Sequence, residues 1–137
     1  MFKQICFFSK RADMSMDEFL DHYENQHSQL AKKMGAKPAL PNAVRYVRRY
    51  LTPECNPVTG EIHDPGYDCI MEIWWNSRED FEASQRIISD PARLPMTKAD
   101  EARLFASHAN PVCSVVDFDS PMGPNGEQTH VELRYGD

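Results

Sequence analysis

A chain of 137 residues, 41% hydrophobic and 26% charged, has the composition of a soluble globular protein and the length of a single core. A formal charge of −6 argues against a nucleic-acid surface, and no run approaches the roughly 20 apolar residues of a membrane span. No signal peptide is visible before the first strand-like segment, so a cytoplasmic location is expected. That segment, residues 2–9 (FKQICFFS), is apolar and β-prone and predicts the first strand.

Residues 15–35 (SMDEFLDHYENQHSQLAKKMG) carry the most complete local pattern in the chain. Ser15 and Glu18 form a capping-box pair, and Gly35 suits a left-handed helix terminus. Asp17 and Glu18 complement the positive end of the helix dipole, and Lys32 and Lys33 the negative end. At about 100° per residue, Met16, Phe19, Leu20, Tyr23, His27, Leu30, Ala31 and Met34 share one arc. Tyr23 and His27, four apart, therefore stack on the apolar face. They read either as an ordinary core pair or as groups turned into a pocket, where an imidazole moves protons near pH 7. His22 falls on another face, so the two histidines do not read as a metal pair.

Pro38 and Pro41 break the chain, and residues 42–52 (NAVRYVRRYLT) predict a second strand. Residues 53–66 are dense in Pro, Gly, Asn and Asp and form a long loop of the kind that often binds or covers. Residues 67–75 (YDCIMEIWW) predict a third strand, and Asn76 and Ser77 with Glu79 and Asp80 start a helix that runs to about Ser89. Asp90–Pro91 restarts it, Pro95 interrupts it, and residues 97–105 carry a last helical stretch. Residues 110–118 read as strand four, and HVELRY (130–135) as a short fifth strand or arm in a 119–137 extension. The order β-α-β-β-α-β over residues 1–118 predicts an α+β, ferredoxin-like domain with an antiparallel sheet and both helices on one face. The bare face calls for a cover, and a second copy, in a homodimer, is the expected one.

Alternate side chains of a strand face opposite ways. Cys69, Met71, Ile73 and Trp75 suit packing under helices, which leaves Asp68, Ile70, Glu72 and Trp74 for the open face. Joined there by Val44, Tyr46, Arg48 and Tyr50, they give rings, an arginine and two carboxylates, the mix of a ligand chamber. The same residues would otherwise form cross-strand pairs at a dimer seam. In the opposite register, Arg45, Val47 and Arg49 would take the place of Tyr46 and Arg48.

Other chemistries lack their signatures. Cys6, Cys55, Cys69 and Cys113 show neither CxxC nor zinc spacing and read as free thiols. His63, His108 and His130 have no regular ligand spacing, and there is no phosphate-binding glycine loop or nucleophile elbow. No metal or other cofactor is therefore expected.

Three stretches, FLDHYENQHSQLAKKMG (19–35), YDCIMEIWWNSREDFEAS (67–84) and DEARLFASHANPVCSVVDF (100–118), resemble EthD-domain proteins. The resemblance spans most of residues 1–118 and implies a dimeric α+β barrel whose relatives include cofactor-free isomerases, decarboxylases and dehydratases of aromatic or polyketide-like compounds. It also implies that the histidine matching His27 faces the pocket. Ser107 stands where the family often has an aspartate.

The expected function is thus a cofactor-independent lyase or isomerase acting on a small hydrophobic, aromatic acid or lactone. His27 would be the general acid/base with Tyr23 or Tyr46 as partner. Arg48 would hold a carboxylate or oxyanion, with Tyr50, Glu72 and Trp74 completing the substrate site. The alternatives are a non-catalytic small-molecule binding or accessory protein, and a haem- or oxygen-dependent enzyme of the same architecture.

Overall fold

Strand β1 (Phe2–Phe8) runs antiparallel between two neighbours, β3 (Cys69–Trp75) and the short β4 (Val112–Ser114). Strand β2 (Ala43–Tyr50) pairs antiparallel with the other side of β3, so the sheet order is β2-β3-β1-β4. With helical segments after β1 and after β3 this is the ferredoxin-like arrangement of the α+β class. These features come from a computed structural model that describes residues 1–33 and 40–118. The expected Gly35 cap, the Pro38 break, the 119–137 extension and its 130–135 strand lie outside the described residues. Strand four is shorter than its sequence suggests: Val112–Ser114 pairs with Gln4–Cys6 of β1, and residues 115–118 lie outside the strand.

Helix α1 (Met16–Asn25) begins with the capping box: Ser15 Oγ accepts the Glu18 N–H at 3.1 Å, and Glu18 accepts the Ser15 N–H at 3.3 Å. The helix does not run on unbroken. Gln26, at φ −119° and ψ −64°, leads into a single 3-10 turn, His27–Gln29, and then into the short α2 (Leu30–Lys33). The tighter winding of that turn rotates His27 relative to α1 and breaks the single 3.6-residue period expected through residue 34.

Helix α3 (Arg78–Ile88) is capped by Ser77, which accepts the Asp80 N–H at 3.1 Å. Helix α4 (Leu94–Leu104) starts earlier than expected, with Pro95 in its first turn rather than interrupting it. There its missing N–H would have had no intrahelical partner anyway.

Under the helices Phe19, Tyr23, Cys69, Leu104 and Phe105 form the buried core, flanked by Phe8, Tyr46 and Tyr50. Phe8 and Phe105 stack at 4.2 Å between ring centroids. A second aromatic cluster, Phe2, Trp75 and Phe81, closes the other end, where Trp75 is fully buried.

The ladder between β2 and β3 overturns the expected facing of β2. Tyr46 opposes Ile73, Arg48 opposes Met71 and Tyr50 opposes Cys69. Directly opposed residues share a face, so Tyr46, Arg48 and Tyr50 lie under the helices, while Arg45, Val47 and Arg49 share the outer face with Trp74, Glu72 and Ile70. The cause is local. The pairing passes from Ala43–Trp75 to Arg45–Trp74, leaving Val44 as an extra, half-exposed residue. Such a bulge shifts the alternation by one and turns every later side chain to the other face.

Candidate functional site

A cavity of about 390 Å³ opens between the helices and the inner face of the sheet. Its floor is mostly apolar, with Cys6, Phe8, Met71 and Ile73, and Tyr23, His27 and Tyr46 converge on it. The site lies within one chain, on the helix side of the sheet, and not on the open face where a chamber was expected.

Asp100 organises one wall. It is a buried carboxylate on α4 whose Oδ2 lies 2.8 Å from His27 Nδ1 and whose Oδ1 lies 3.0 Å from His22 Nε2. The break after α1 is what lets both histidines reach one carboxylate, against the expectation that they point apart. Burial alone would push the Asp100 carboxyl up, but hydrogen bonds from His22 and His27 outweigh it and hold the group below its ordinary range. Asp100 is then an ionised acceptor with no proton to give. His27 must donate from Nδ1 and His22 from Nε2. With Nδ1–H engaged in this way, the acceptor position of an uncharged His27 ring is Nε2, on a residue that lines the cavity.

The Tyr46 hydroxyl donates to the Tyr23 hydroxyl at 3.2 Å. Burial pushes Tyr46 up to about 12 and raises Tyr23 well above its ordinary value, so both remain protonated at neutral pH. Two hydroxyls sharing one hydrogen bond have one proton left over for a ligand. The Tyr23 ring meets the His27 ring edge-on at 5.1 Å, which fixes the imidazole from the side.

Arg48 and Tyr50 share this face of the sheet but are turned onto Glu24 of α1. Arg48 Nε and Nη2 fork onto the carboxylate at 2.9 and 2.5 Å, and the Tyr50 hydroxyl donates at 2.9 Å. The Arg48 hydrogen bonds, helped by Tyr50, hold Glu24 below the usual carboxylate range despite its partial burial. Neither Arg48 nor Tyr50 lines the cavity. Glu72 and Trp74 are separated from the site altogether. On the outer face, Glu72 accepts from Arg49 at 2.6 Å and from the Trp74 indole at 2.9 Å. Lys3 and Arg45 lie over the Trp74 ring at 3.7 and 4.7 Å. The long loop, residues 53–66, contributes nothing to the cavity wall.

Asp100, Arg93 and Glu101 are the site residues that sequence reasoning missed. Asp100 and Glu101 belong to α4 and Arg93 is its N-cap residue; the helix lacks a strong apolar stripe. One signal for them was available: acidic and basic side chains at positions that a helix packed on a sheet would ordinarily fill with apolar ones. Among the described residues no cluster of three or more His, Cys, Asp or Glu is placed to hold a metal ion, and no helix is long and apolar enough to cross a membrane.

Fold and site together describe a ferredoxin-like protein with a histidine–carboxylate pair at a helix-side cavity. Residues 11–108 match the EthD domain, and the chain belongs to that family. No curated protein matches the sequence significantly. The fold is similar to that of At3g17210 from Arabidopsis thaliana, at TM-score 0.53 and 13% identity over 88% of this chain and 99% of that one. An EthD family protein from Bacillus halodurans is comparable, at TM-score 0.53 and 12% identity over 86% and 100% of the two chains. HapK from Hahella chejuensis has TM-score 0.50 and 15% identity over 90% and 100%. At these identities the likeness is one of fold alone.

Proposed function

We propose that the chain is a cofactor-independent acid/base enzyme, a lyase or isomerase acting on a small hydrophobic acid or lactone. The observation that carries this is the 2.8 Å contact between His27 Nδ1 and Asp100 at a cavity that also presents the Tyr23–Tyr46 hydroxyl pair. A carboxylate on Nδ1 orients the ring and stabilises the imidazolium that forms when Nε2 takes a proton. Abstraction of a proton from a carbon next to a carbonyl leaves an enolate, whose oxygen the spare tyrosine proton can stabilise. Return of the proton from His27 to a different carbon completes an isomerisation, and return to a departing hydroxide completes a dehydration. In a decarboxylation His27 would protonate the carbanion left when carbon dioxide departs.

The outer sheet face supports a homodimer as part of the same proposal. Ile5, Phe7, Ile70 and Trp74 are only half-buried and no helix of the described chain covers them. A second copy of the same face is the self-complementary cover a two-fold dimer provides.

The test is turnover of a panel of aromatic β-keto acids, hydroxy acids and unsaturated lactones by chelator-treated protein, for the wild type and His27→Ala. The expected result is turnover of at least one compound and its loss in the variant with ligand binding retained. Binding without turnover by the wild type would instead identify a carrier or accessory protein.

A further inference from the structure

The inward side of α4 is polar. Arg93, Thr97 and Glu101 recur every four residues, so they share one helix face, and all three line the cavity. Asp100, next to Glu101, holds His27 from the same helix. A helix packed on a sheet ordinarily turns apolar residues toward it. Here charged side chains front an open volume instead, which suits a polar ligand rather than packing.

The charges along this face are ordered. Eight residues at 1.5 Å rise separate Arg93 from Glu101 by about 12 Å along the axis. The Glu101 carboxylate, next in sequence to Asp100, stands at one end of the wall and the Arg93 guanidinium at the other. Asp100 is met by two histidines, whereas Arg93 makes no ion pair among the described residues. Arg48, the cation that the sequence singles out for an anion, is already forked onto Glu24. A guanidinium suits a planar anion, and among the described residues no carboxylate is paired with Arg93.

Resting on the cavity as the substrate site, we propose that Arg93 is its anion anchor. The ligand is a carboxylate whose charged end sits at the start of α4 while its apolar body runs over Cys6, Met71 and Ile73 toward His27. Glu101 repels the same charge at the far end, so a single orientation is favoured. His27 then serves a carbon distant from the anchored carboxylate. Loss of that carboxylate as carbon dioxide is disfavoured, because the guanidinium stabilises the ground-state charge more than a transition state in which the charge leaves it. Isomerisation or dehydration at a distal carbon fits the arrangement.

The test is read by binding and not by turnover, so a failed catalytic role for His27 and a failed anchor are told apart. Calorimetric titration would use phenyl-alkanoates with one to four methylene groups and their matched primary amides. For at least one pair the wild type should bind the acid tighter than the amide by about tenfold or more, the scale of a charge-assisted hydrogen bond. Arg93→Gln should remove that preference with amide affinity unchanged, and Arg48→Met should keep it. The proposal is overturned if no acid outbinds its amide, if the preference survives in Arg93→Gln, or if Arg48→Met abolishes it. Should Arg93→Gln lose amide binding too, Arg93→Lys decides: amide binding restored together with an acid preference supports the anchor, and amide binding restored without any acid preference overturns it.

Discussion

His27 and Asp100 are 73 residues apart in the chain and 2.8 Å apart in space. The bond ties the turn after α1 to the middle of α4, so the same carboxylate that orients a ring nitrogen also fastens two helical segments together. Removing it should therefore show in both rate and stability, and the two can be read separately.

For the rate, His27→Ala should lose activity by about 10²-fold or more, as removal of a general acid/base does. Asp100→Asn keeps the ring but not its orienting charge and should cost about 10–100-fold. Both are measured as kcat on whichever compound the wild type turns over, with circular dichroism confirming the fold. Wild-type kcat in His27→Ala would remove the imidazole from the mechanism.

For stability, the sign follows from the depressed Asp100 pKa. An ionised carboxylate favoured in the folded state stabilises fully above its unfolded value of about 3.9. That contribution is lost as pH falls through the lower folded value. Asp100→Asn should therefore be less stable than wild type at pH 7, and the gap should close in strong acid. Urea midpoints at pH 7, 5 and 3 check it, and a gap independent of pH would contradict it.

Phe19 is completely buried and touches Tyr23, Tyr50 and Phe105. Phe19→Ala should destabilise by about 3–5 kcal/mol, read from denaturant midpoints, with far less effect on catalysis than His27→Ala once conditions keep it folded.

Arg48→Met and Arg49→Met separate the two faces of β2. Arg48 and Glu24 are both partly exposed, so losing their pair should cost at most about 1 kcal/mol. Arg49 is more exposed, yet its partner Glu72 is buried. Losing it leaves a buried carboxylate with the Trp74 indole as its remaining side-chain partner, at about 1–3 kcal/mol. Equal losses in chemical denaturation would mean that Glu72 is relieved by something else.

Sedimentation at micromolar concentration should give the mass of two 15.8 kDa chains, and Ile70→Glu, on the outer face, should give one. A wild-type monomer would remove the homodimer.

How far the sequence led depended on the range of the interaction. The Ser15–Glu18 box and the Ser77 cap are local, and both are present where the residues predicted them. The alternation of β3 was legible because Cys69, Met71, Ile73 and Trp75 are uniformly apolar. That of β2 was not, since Arg and Tyr suit either face and a single extra residue at Val44 decided it. Tyr23, His27 and Tyr46 were legible as candidates and do meet at the cavity. Asp100 was hidden because its role depends on a break at Gln26 and on a helix far along the chain.

Trp74 and Trp75 are adjacent in sequence and face opposite sides of the sheet. Trp75 is fully buried beside Phe81, whereas Trp74 lies under two cations on the outer face. The two indoles thus form a built-in pair of optical reporters with different audiences. Trp75 should emit at shorter wavelength, escape aqueous quenchers and follow loss of the folded state. Trp74 should be quenched by iodide in a dilute single chain and shielded when another surface closes over it. Single-tryptophan variants, Trp74→Phe and Trp75→Phe, would let one cuvette distinguish unfolding from dissociation.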